Sequence, residues 1–161
     1  MKFAYITLIA ALALPAAVCA QPAPVLLESY GRVASLLGYM AVHVGELLLA
    51  CAEKNVVTEE QAEARYQAYR QRNAALLERA KSWSQAAERR LQAQGEERAA
   101  QSLERESSLT AGAAASMRAQ EAIGKAADTR AACAARLAAI ESGHYDLSAN
   151  AELNRLLSIK P

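Results

Sequence analysis

Between Leu26 and Cys51 the apolar residues Leu26, Tyr30, Val33, Leu37, Met40, Val44, Leu47 and Cys51 follow one another at alternating steps of four and three, without a miss. Side chains so spaced share one face of an α-helix and cannot share one face of a strand, whose period is two. The rhythm returns at Ala62, Tyr66, Tyr69, Asn73, Leu76, Ala80, Trp83 and Ala87. A looser third set runs through Ala99, Leu103, Thr110, Ala114, Met117, Ile123, Ala127, Cys133, Leu137 and Ile140. Seams of this kind are buried by packing helix on helix. Composition agrees, since 39 of the 161 residues are alanine and only 5% are aromatic, a balance that favours helix over sheet.

The pattern predicts an all-α fold: an up-down-up antiparallel helical bundle or coiled-coil hairpin with a short C-terminal helix. The helices are expected at about 25–53, 58–94, 96–142 and 150–158. Glu53-Lys54-Asn55 closes the first, and Thr58-Glu59-Glu60-Gln61 is a capping box for the second. Gly95 supplies the hairpin bend, Ser142-Gly143 the next stop, and Ser148 or Asn150 caps the last helix. Gly112 and Gly124 are candidate kinks in the third segment. Beside the first seam, Gly31, Gly38 and Gly45 form a stripe. Each costs about 1 kcal/mol of helix propensity relative to alanine, a cost that close approach of a neighbouring backbone offsets. Asn73, the polar member of the second seam, is read as a hydrogen-bonded register-setter. By length the second helix outreaches the first, so the far end of the hairpin is expected to project as a slender arm.

Residues 1–20 read as a signal peptide. Lys2 is a short positive region, Phe3 to Val18 is an apolar stretch, and Val18-Cys19-Ala20 places small residues before a cut at Gln21. The expected mature domain, 21–161, carries 17 basic and 17 acidic side chains, a balance with no pull toward nucleic acid. It keeps two cysteines, Cys51 and Cys133, and an exported chain with an even pair of thiols reads as one disulfide. Length arithmetic agrees, because descending from Thr58 to Gly95 and climbing the same distance returns to Ala132, beside Cys133.

Little in the chain suggests catalysis. No nucleophile elbow, phosphate-binding loop or His-Glu-x-x-His motif is present, and neither a cofactor nor a metal is expected. One ligand strip is worth naming: Tyr39, His43 and Glu46 lie on one helix face. Arg65-Tyr66-Gln67-Ala68-Tyr69-Arg70 interleaves aromatics with base, but Tyr66 and Tyr69 occupy the seam and read as core. The expected function is that of a non-enzymatic protein of the periplasm or the secreted fraction. It would bind another protein as a scaffold, chaperone or inhibitor-type module, its partner unidentified and a second copy of itself among the candidates. Two alternatives are a membrane-associated envelope component using residues 33–51 as a span, and a small-ligand or metal carrier near His43. The span reading must place His43 and Glu46 inside the bilayer, where a charge costs about 2.5–3.5 kcal/mol.

Overall fold

The computed structural model describes residues 22–161. The expected leader, 1–20, lies outside them. The described chain is helical: α1 (Ala23–Glu53), α2 (Glu59–Arg72), α3 (Ala74–Ala93), α4 (Glu97–Gly124), α5 (Thr129–Glu141) and α6 (Ala151–Ser158), with a short 3-10 turn at Leu147–Ala149 before the last.

Three helices end in the same way. At Asn55, Gly95 and Gly143 the backbone enters the left-handed region, with φ of 55°, 80° and 80°. After each, the next amide reaches back five residues: Val56 to the Cys51 carbonyl, Glu96 to Leu91 and His144 to Ala139. This is the Schellman closure, which satisfies carbonyls the helix leaves open. Helix starts are set by side chains. Thr58 accepts from the Gln61 amide while Gln61 returns a bond to the Thr58 amide. Asp128 accepts from Ala131, and Asn150 from Leu153.

The glycine stripe is where α1 meets its neighbours. A Cβ on Gly38 would sit 3.4 Å from the backbone of Ser108, and one on Gly31 would run into the Leu103 side chain. A Cβ on Gly45 would touch the Tyr66 ring at 3.7 Å instead. So Gly31 and Gly38 face α4, and Gly45 faces α2. Positions along α1 and α4 advance together, Gly31 beside Leu103, Val42 beside Gly112 and His43 beside Ala115.

Two expected helices are each divided. The 58–94 segment breaks at Asn73, whose side-chain amide donates to the Tyr69 carbonyl at 2.8 Å and whose oxygen accepts from the Leu147 amide at 2.7 Å. Asn73 is thus hydrogen-bonded within the seam, but its bond to the later connector ends one helix and opens the next. The 96–142 segment passes unbroken through Gly112 and stops at Gly124. Glycine is a poor helix former, and Asp128 favours a fresh start. Cys51 and Cys133 are joined, with Cα atoms 5.6 Å apart. Cys133 arrives there on α5 after that break, not at the top of one long climb.

The core falls into two clusters. One gathers Leu26, Tyr30 and Val33 with Trp83, Ala87, Leu91, Ala100, Leu153, Leu156 and Leu157. The other gathers Val44, Leu47, Leu48 and Cys51 with Ala62, Tyr69, Ala119, Ile123, Cys133, Leu137 and Ile140. The first cluster corrects the expected arm. α1 begins as early as Ala23 and α6 folds onto the same end, so Leu91 and Ala100, on either side of Gly95, are both covered. The Trp83 indole N–H donates to the Ile159 carbonyl at 2.7 Å, and Arg79 donates to that of Leu157.

Candidate functional site

The ligand strip read from the sequence comes partly together. Tyr39 stacks on His43 with ring centres 5.3 Å apart and planes 19° from parallel. Tyr145 meets His43 edge-on at 5.7 Å, and His144 packs against Tyr145 at 5.3 Å. The Arg118 guanidinium lies over the other ring, Tyr39, at 5.8 Å. His43 Nδ1 is 3.2 Å from the Ala115 carbonyl oxygen. A carbonyl only accepts, so this nitrogen carries the proton, and the bond fixes the ring against α4. Around these rings is a cavity of about 250 Å³, which Met40 and Asp146 also line. Glu46 does not line it.

His144, Tyr145 and Asp146 lie in the connector between α5 and the 3-10 turn. The Gly143 stop turns them back onto α1 and α2. Asp146 accepts from Arg72 at 3.1 Å and from Asn73 at 3.3 Å, while Arg72 also donates to the Ile140 carbonyl at 2.6 Å. Asp146 is therefore committed to structure. Among the described residues no group of three or more His, Cys, Asp or Glu side chains is placed to hold a metal ion.

A second, larger concavity lies between α1 and α2, close to the disulfide. Gly45, Leu48, Leu49 and Ala52 form one wall, and Ala62 and Tyr66 the other, with Glu59 and Glu63 at its edge. Its volume is about 460 Å³. Leu48 and Ala62 are buried, whereas Leu49 keeps 49% of its surface exposed. The groove exists because of Gly45: with no side chain there, Tyr66 lies directly on the α1 backbone and stacks on Tyr69 below it, ring centres 6.2 Å apart. Glu53 falls four residues after Leu49 and is exposed like it, whereas Glu46, three before, is half-buried. Glu46, picked out by sequence for its spacing from His43, lines neither cavity. The groove as a whole left no motif. The clue was Leu49, an apolar residue standing off the α1 seam.

Comparison of the chain with protein-family models, with curated proteins and with solved structures finds no match in any of the three.

Proposed function

We propose that this chain is an exported, disulfide-stapled helical bundle that binds another protein and performs no catalysis of its own. The observation that carries this reading is the α1–α2 groove: an apolar concavity of about 460 Å³ with a half-exposed leucine in its wall, beside the Cys51–Cys133 bond. Concave apolar surface on a stable scaffold is where binding energy is available. Export is supported by the joined cysteines, since such bonds persist in oxidising compartments, and by the Val18-Cys19-Ala20 cleavage pattern. We read the chain's course as up along α1, down along α2 and α3 and up along α4, with α5 and α6 returning. The pairings Gly31–Leu103 and His43–Ala115 support it.

The test is a photo-crosslinking residue at position 49 of the protein in its native cell envelope. A defined protein adduct, absent when the same group is placed at Gln101 on the exposed face of α4, is the expected result. No adduct at position 49 overturns the reading, and a mature protein whose N-terminus is not Gln21 overturns the expected cleavage.

A second reading has an observation of its own. The cavity bounded by Tyr39, His43, His144 and Tyr145 suits a small planar ligand. Native mass spectrometry of the untagged protein would show a retained mass under that reading and the bare chain mass otherwise. The membrane alternative rests on α1, which is long and apolar enough to cross a bilayer, with mean hydropathy 1.6 over 18 residues. The same helix buries Val44, Leu47, Leu48 and Cys51 against its neighbours, so spanning would forfeit the upper core. Release by carbonate extraction is the outcome that removes it.

A further inference from the structure

Taking the protein-binding reading as its base, the geometry points to a cationic amphipathic helix as the occupant of the α1–α2 groove. Charge is the first argument. Between residues 46 and 63 the sequence has five carboxylates, Glu46, Glu53, Glu59, Glu60 and Glu63, against the single cation Lys54. None of the five is ion-paired among the described residues, and Glu63 only accepts from Gln67 at 2.6 Å. The nearest arginine, Arg65, is held by Glu141 at 2.9 Å. The positive end of α2 offsets part of the charge on Glu59 and Glu60, which leaves Glu63 at the groove's edge without an offsetting cation, and Glu46 and Glu53 on the same stretch of α1. This asymmetry is local, since the expected mature chain carries equal numbers of acids and bases. A partner with lysines or arginines flanking an apolar stripe would meet the Glu59 and Glu63 carboxylates along the α2 edge and Leu48, Leu49, Ala52 and Tyr66 beside them.

Backbone chemistry is the second argument. An extended peptide needs partners for its amides and carbonyls, which a sheet edge supplies. Beyond the first turn of α2, the groove is walled by two helices whose backbone bonds are closed within them. A helical occupant satisfies its backbone internally and presents only side chains, at the three- and four-residue spacing that matches Gly45, Leu48, Leu49 and Ala52. The walls extend over about two helical turns of α1, or roughly 10 Å, so a short stretch of the partner is engaged.

The test uses the oxidised mature protein and synthetic peptides followed by fluorescence anisotropy at about 0.15 M salt. The probe is a helix-forming leucine–lysine amphipathic peptide, compared with its leucine–glutamate counterpart and with a leucine–lysine version carrying a central proline. The expected result is binding of the leucine–lysine helix at least about tenfold tighter than either comparison peptide. Leu49→Ser, and separately Glu59→Gln with Glu63→Gln, should each cost about tenfold. Glu96→Gln with Glu97→Gln, at the opposite end of the bundle, should cost nothing. Equal binding of the lysine and glutamate peptides, or an equal loss from the distant pair, overturns the inference. Full binding by the proline peptide overturns its helical part. An adduct from position 49 together with no preference for the lysine peptide leaves protein binding standing and sinks only the chemistry assigned to the partner.

Discussion

Tyr69 carries its hydroxyl into the interior, where it is buried without a hydrogen-bond partner. Burial first, and then the Asp146 carboxylate nearby, push its pKa up to about 12. Burial and the bond from its hydroxyl to Glu104 push Tyr30 upward too. Because this phenol ionises at a higher pH when folded, stability is at its full level below pH 10, the ordinary value, and falls as pH rises to about 12. Tyr69→Phe removes the orphaned hydroxyl, so it should raise stability by about 1 kcal/mol at neutral pH. It should also flatten part of the alkaline loss, both read from thermal melts at stepped pH. Asn73→Ala should do the opposite. It strands the buried Leu147 amide and should cost about 1–3 kcal/mol by urea denaturation. Asn73 was legible as a polar seam residue because the heptad rhythm runs through it. Its partners were not, because Asp146 and Leu147 come from far along the chain and only tertiary folding brings them near.

At the scale of elements, the stops at Asn55, Gly95 and Gly143 could be read directly, since a residue tolerant of positive φ after a periodic run is a local signal. The α4–α5 break was harder. Gly112 and Gly124 look alike in sequence, yet α4 runs through the first and ends at the second. What separates them is the Asp128 cap downstream and the contact of Gly112 with Val42. Glycines on these helices should answer oppositely to substitution. A Cβ on Gly124 meets nothing within 4 Å, so Gly124→Ala should stabilise by about 0.5–1 kcal/mol. Gly38→Leu drives a side chain into the Ser108 backbone and should cost about 1–3 kcal/mol. Paired urea titrations of the two variants give the comparison. The same paired helices explain why the aromatic cluster at His43 could not be read in full: its far members, His144 and Tyr145, lie on a connector that carries no period.

At the scale of the molecule, the Cys51–Cys133 bond closes a separation of 82 residues. In the chain-entropy account it contributes on the order of 4 kcal/mol. Cys51→Ser with Cys133→Ser should therefore lower the unfolding free energy by about that amount, measured by urea titration against the oxidised parent. The loss need not be shared evenly. Asn73, Arg72 and Asp146 form a polar group at the point where α2 gives way to α3, and the buried apolar residues gather in two clusters along α1. Only one of those clusters contains the cystine. Amide exchange on the reduced chain should then show uneven protection, with the Val44–Ile140 portion opening first while the Leu26–Leu157 portion stays closed. The proposed groove belongs to the portion that opens, so thiol reductants would deform it before they unfold the rest of the chain.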